Sequence, residues 1–158
     1  NNPDYYTDVD PSTRFVVSSD VLVGGNKEGL LFFDLRSNQR FKLSIGNVLS
    51  VTPVDDAESS IVAVTANGDV HYVYRDGDEF KDLVLFKTLA PSVNRGACSD
   101  KTVYLPSGSG KLYRIQLDSL EVGFYDLSEY GRTLSTPAIF GYGRVAVSVF
   151  DENRVMVL

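Results

Sequence analysis

Tryptophan is missing from this 158-residue chain, and cysteine, methionine and histidine occur once each. Each scarcity removes a class of chemistry. With Cys98 alone, no intrachain disulfide can form. The residue falls in a predicted strand, where a packed, inert thiol is expected rather than a nucleophile. With His71 alone, a Cys–His or Ser–His mechanism would rest on a histidine in mid-strand, so no catalytic residue is assigned. No apolar run approaches the ~20 residues that a helix needs to cross a bilayer. Positive charge is also scarce: 15 Lys and Arg against 21 Asp and Glu leave a net charge of −6. The basic residues are scattered singly, which argues against a nucleic-acid partner, because phosphate binding needs them clustered. The acidic balance is read as serving solubility. Helical periodicity is absent, and Pro or Gly interrupts every window long enough for a helix. The opening residues Asn1-Asn2-Pro3-Asp4-Tyr5-Tyr6 do not read as a signal peptide, and a start without Met is what a processed or excised segment would show.

What the chain has is a pattern repeated about every forty residues. An apolar strand, a turn ending in Gly and a second apolar strand recur as Val21-Leu22-Val23 with Gly29-Leu30-Leu31-Phe32-Phe33, and as Ile61-Val62-Ala63-Val64 with Gly68-Asp69-Val70-His71-Tyr72. The third copy is Thr102-Val103-Tyr104-Leu105 with Gly110-Lys111-Leu112-Tyr113-Arg114, and a fourth carries Asn153 where the others have Gly. The pivots at 29, 68, 110 and 153 are 39, 42 and 43 residues apart, the length of a four-stranded propeller blade. An all-β chain of β-propeller blades follows, each of four antiparallel strands. The units are expected at 14–43, 49–86, 94–127 and 136–158, with 4–9 as a possible closing strand. The recurring Gly is expected where φ is positive or a neighbouring strand leaves no room for a Cβ. No helix follows it, so neither these turns nor Ser107-Gly108-Ser109-Gly110 reads as a phosphate cradle. Thr52-Pro53 and Thr136-Pro137 form a second echo, suited to a strand start or to a face where a missing N–H costs nothing.

With these residues in view, the chain resembles the quinoprotein-like (pyrroloquinoline-quinone-type) and WD-like β-propeller repeats. The stretches that carry the resemblance are Ser135-Thr136-Pro137-Ala138-Ile139, Thr102-Val103-Tyr104-Leu105 and Gly110-Lys111-Leu112-Tyr113-Arg114-Ile115-Gln116-Leu117-Asp118. They cover most of the chain, from about residue 14 to 158, and are specific for the propeller class rather than for one family within it. The Trp-docking device of the quinone enzymes is missing, as are the Gly-His and Trp-Asp dipeptides of WD repeats. Tyr5, Tyr72, Tyr104, Tyr113, Phe32 and Phe33 are expected to fill the space between blades instead. Resemblance to extracytoplasmic propellers points to a secreted, periplasmic or lumenal setting, while a single cysteine fits the cytosol equally well.

The last unit lacks its outer strand. Closure is expected from residues 5–9, from a second copy giving eight blades, or from further blades of a longer polypeptide. An apolar strand left at an edge pairs readily, so the isolated chain is expected not to behave as a simple monomer. In a propeller, ligands usually dock on the face formed by the turns between second and third strands and by the connections between units. There the candidate binding residues are Lys27, Asn47, Asn94, Arg95, Tyr130 and Arg132, with Arg95 and Arg132 in comparable loops. Arg grips carboxylates bidentately and is frequent among interface hot spots. The acidic runs at 55–58 and 76–79 lack the spacing of a calcium loop and read as solvated turns. The expected function is a non-catalytic interaction or scaffold module for a protein or peptide, with no cofactor and no metal. The alternatives are a quinoprotein-like oxidoreductase segment and a carbohydrate- or small-ligand-binding propeller, the latter resting on Tyr125, Tyr130 and Tyr142.

Overall fold

A computed structural model describes residues 16–54 and 59–158. Within them the chain makes four antiparallel sheets, each a meander in which every strand pairs with the next in sequence. The first sheet holds β1 (Val16–Ser18), β2 (Val21–Gly25), β3 (Gly29–Asp34) and β4 (Arg40–Ser44). The second holds β5 (Val48–Pro53), β6 (Ile61–Thr65), β7 (Asp69–Asp76) and β8 (Glu79–Lys87). The third holds β9 (Ala97–Ser99), β10 (Thr102–Pro106), β11 (Lys111–Gln116) and β12 (Glu121–Asp126). The fourth has three strands among the described residues: β13 (Ala138–Phe140), β14 (Arg144–Val149) and β15 (Arg154–Val157). Among the described residues, helix is confined to two single turns, Gly141–Gly143 and Phe150–Glu152.

The core lies between sheets, and the two-residue period of the strands explains it. All five residues of β6 are buried. Ile61 and Ala63 pack with Val23, Leu30 and Phe32 of the first sheet. Val62 and Val64, pointing the other way, pack with Val103, Leu105 and Ile115 of the third. A third layer joins Tyr104 and Leu112 to Val145, Val147 and Val149 of the fourth sheet. A strand buried on both faces shows a continuous apolar run instead of alternation, which is what Ile61-Val62-Ala63-Val64 displays. The outer strands are wet by contrast; every residue of β12 is exposed. First strands meet side by side, β1 with β5, β5 with β9 and β9 with β13. The sheets therefore fan about one axis, each stacked on its neighbours.

Aromatic packing and polar ties hold the stack without tryptophan. Phe32 stacks on Phe80 with ring centroids 4.1 Å apart, and Phe86 meets Tyr113 at 4.7 Å. Both pairs cross an inter-sheet boundary, and Tyr104 and Tyr72 also lie in these layers. Phe33 takes a different side of its strand. It is on the face of β3 opposite Phe32, half-buried and turned away from the second sheet; Tyr5 falls outside the described residues. Each boundary also carries a side chain that bonds backbone across it. The Ser18 hydroxyl donates to Ser60 O at 2.8 Å, Gly96 N–H donates to Thr52 Oγ1 at 2.8 Å, and Asn94 Nδ2 donates to Leu134 O at 2.8 Å. These bonds satisfy polar groups that stacking would otherwise strand in the interior.

Several sequence expectations shift. Residue 94 was expected to open the third unit's first strand, yet β9 begins at Ala97, because Asn94 and Gly96 spend their donors on neighbouring sheets. Likewise β13 begins at Ala138 rather than 136. The Thr-Pro echo does not occupy one structural position: Pro53 ends β5 opposite Ile61, whereas Pro137 precedes β13. Cys98 is half-buried rather than buried. The segments 4–9 and 55–58 lie outside the described residues.

Asp34 ties the first sheet to the second and makes that junction acid-sensitive. Its Oδ1 accepts from the N–H groups of Ser37 (3.0 Å) and Arg36 (2.9 Å), and its Oδ2 from Arg75 Nη1 at 2.7 Å. The Ser37 N–H and the Arg75 guanidinium hold its pKa down to about 2, against an ordinary value of ~3.9 in the unfolded chain. Because the folded value is the lower one, this group stabilises the fold fully above about pH 4 and loses that contribution as pH falls through about 2. Asp34→Asn should therefore melt lower than the parent at pH 7, with the gap narrowing between about pH 4 and pH 2. A gap of constant size across that range, followed by circular dichroism, would refute the assignment.

Candidate functional site

Antiparallel pairing puts the β2–β3, β6–β7, β10–β11 and β14–β15 turns at one end of the stack, together with the connections at 45–47, 88–96 and 127–137. This is the face expected to bind, and its loops are held by their own polar side chains. Asn26 Oδ1 accepts from the N–H groups of Glu28 (2.8 Å) and Gly29 (2.9 Å), which fixes the turn that presents exposed Lys27. Asn47 is exposed, and its carbonyl accepts from Ala66 N–H at 2.7 Å. In the β10–β11 turn, buried Ser107 donates to Lys111 O at 2.8 Å and contacts Ser109 Oγ at 2.9 Å. That hydroxyl braces the loop from within, so the Ser-Gly-Ser-Gly stretch is a turn with its own internal support.

The two arginines part company here. Arg132 sits six residues before β13, with its N–H donating to Asp151 Oδ2 at 2.6 Å and that of Thr133 donating to the same oxygen at 2.8 Å. These two N–H donors, Thr133 first, pull the Asp151 carboxyl below its ordinary range. Nearby, half-buried Tyr130 lies 5.9 Å beneath the Arg154 guanidinium, and a hydrogen bond with Glu129 pushes its phenol up. Arg95 is instead two residues before β9 and belongs to another feature, a pocket of about 450 Å³ on the axis. The pocket is lined by residues 17–19, 52–54, 95–98, 136 and 137, one group from the inner edge of each sheet. Inner strands have no partner on their axial side, so Pro53 and Pro137 sit there without loss of a ladder bond.

Of the six candidate residues, then, Arg95 lines the axial pocket. Asn94 is half-buried and engaged with Leu134, and Lys27, Asn47, Tyr130 and Arg132 lie on the loop face outside the pocket lining. Arg95 and Arg132 are not equivalent positions. Thr52, Thr136 and Cys98, all on the pocket wall, escaped sequence reasoning, which looked for binding groups on turns alone. Their signal was a place on or just before the first strand of a unit, the strand nearest the axis. The tyrosines offered for sugar binding do not converge: Tyr125 is on outer strand β12, Tyr130 on the rim, and Tyr142 fully exposed in the β13–β14 turn at the opposite end. His71 is buried between the first and second sheets, its Nδ1 2.8 Å from Asp82 Oδ1. In the turn at 76–79, Asp76 pairs with Lys81.

No family model matches the chain, and no curated protein matches it in sequence. Solved structures do match it in shape. The β-propeller domain of Cps50 (Swd1) from Myceliophteria thermophila superposes with a TM-score of 0.62 at 13% identity, over 88% of this chain and 49% of that one. BamB from Moraxella catarrhalis gives 0.62 at 14% identity, over 90% and 41%. The extracellular domain of the putative one-component system BT4673 from B. thetaiotaomicron gives 0.61 at 15%, over 85% and 19%. The chain thus spans half or less of the length of these structures. At such identities the likeness speaks for architecture alone: the fold of this chain is that of β-propeller blades.

Proposed function

We propose that the chain is a non-catalytic interaction module that receives a protein or peptide partner on its loop face. The observation that carries this reading is the union of a rigid stack with a braced rim on which Lys27, Asn47 and Arg132 stand exposed. A rim ordered before binding spares the partner the entropy of ordering it. The propeller architecture shared with Swd1 and BamB is consistent with such a role. Immobilised chain incubated with its native extract, followed by mass spectrometry, is the test. Arg95→Ala combined with Arg132→Ala should cut recovery of a specific partner by about tenfold or more, as for loss of hot-spot side chains. Arg36→Ala, at the opposite end and 80% exposed beside Asp20, should leave recovery intact. Equal recovery from all three proteins would overturn the reading.

A further inference from the structure

Among the described residues, five Lys and Arg side chains are paired with carboxylates. Arg36 pairs with Asp20, Arg75 with Asp34, Lys81 with Asp76, Lys87 with Asp69 and Lys101 with Asp118. Among the described residues, Arg95 has no acidic partner and no carboxylate lines its pocket. A second pocket of about 490 Å³ makes the contrast: Arg36 and Arg75 line it too, but Asp20 and Asp76 line it with them, so its charge is internally balanced. One hydroxyl adds to the axial site: that of Thr136 is exposed and uncommitted, whereas Thr52 is fully buried with its Oγ1 accepting from Gly96 N–H. Pro53, Val54, Ala97 and Pro137 give the remaining wall an apolar character. A volume of about 450 Å³ falls within the span of small-ligand sites.

From this we propose that the axial pocket binds a single carboxylate carried on a short aliphatic stem, with Arg95 as its counter-ion and Thr136 as a hydroxyl donor. Guanidinium and hydroxyl groups complement the in-plane lone pairs of a carboxylate. The net charge of −6 opposes the approach of polyanions, so one carboxylate fits where a polyphosphate does not. The inference rests on the interaction-module reading and deepens it by naming what the module would grip: a Glu or Asp side chain of a partner, or a free small carboxylate.

The test is a ¹⁵N–¹H NMR titration of the intact chain with three probes. These are acetate, an acetylated and amidated glycine peptide with one internal Glu, and the same peptide with Gln in its place. The Glu peptide should shift the amides of Gly96, Ala97 and Cys98, and Arg95→Gln should weaken it about tenfold, the loss expected for one charge-assisted pair. Arg36→Gln, at the opposite end of the stack and outside the pocket lining, should change nothing. Acetate matching the Glu peptide would identify a free small carboxylate as the ligand, and a preference for the peptide would identify a partner side chain. Shifts confined to the rim around Lys27 and Asn47, indifferent to Arg95→Gln, would overturn the carboxylate site while leaving the module reading intact. The Gln peptide binding as well as the Glu peptide, or no shift from any probe at about 1 mM, would overturn it as well.

Discussion

Gly68→Ala should destabilise the chain by at least ~3 kcal/mol, an effect outside the ordinary range for adding one methyl group. Two independent causes combine. Gly68 has φ of +89°, and a Cβ built on it would lie 2.0 Å from the Thr88 carbonyl oxygen. Nothing at that contact can yield cheaply, because Thr88 N–H donates to Gly68 O at 2.8 Å and so fixes the two backbones together. The turn between second and third strands is thereby fastened to the end of the fourth. Gly77→Ala separates strain from collision: φ is +63°, but no atom lies within 4 Å of the added carbon. That variant should lose only the ~1 kcal/mol that a left-handed alanine costs. Denaturant unfolding that ranked the two variants equally would show that close approach to Thr88 does not explain the glycine.

The same geometry accounts for the exception in the repeat. Asn153 has φ of +51° and caps a short helical turn in the left-handed region, a conformation that asparagine tolerates better than most residues. In the fourth sheet no fourth strand stands against this turn among the described residues. A Cβ that would strike a carbonyl in the first three sheets therefore finds room at position 153.

Spacing alone revealed the architecture because turns of this kind tolerate few residue types. Gly29, Gly68 and Gly110 recur wherever a fourth strand crosses the turn, so they mark units even at identities too low for sequence matching. The apolar run of β6 likewise foretold a strand buried on both sides. The pocket was less legible. Arg95 and Arg132 look equivalent as loop residues ahead of a unit's first strand, but the connection before β13 is held out by Asp151 and places its arginine on the rim. A connecting loop's path depends on contacts distant in sequence, here 19 residues away, and no local period reports them. Phe32-Phe33 shows a related limit: composition says both are core residues, and only register says which boundary each one fills.

That register yields the second large effect. Phe32→Ala should cost ~3–5 kcal/mol, as for other fully buried aromatic residues. Phe32 is 1% exposed, packs with Val51, Ile61 and Ala63 across the boundary, and stacks on Phe80 at 4.1 Å. Removing it opens a cavity between two sheets whose backbones are each fixed by their own ladders, so neither can collapse to refill it. Phe33→Ala removes the same number of atoms one residue along, from the face turned away from the second sheet, and should cost less than half as much. Hydrogen exchange supplies the spatial check. In Phe32→Ala, protection should fall first in β2, β3, β6 and β7, while β10 and β14, whose packing layer lies beyond β6, keep theirs until global unfolding. If Phe33→Ala proved the costlier change, or if protection fell evenly across all four sheets, the boundary between the first two sheets would not be the separate packing layer that this register implies.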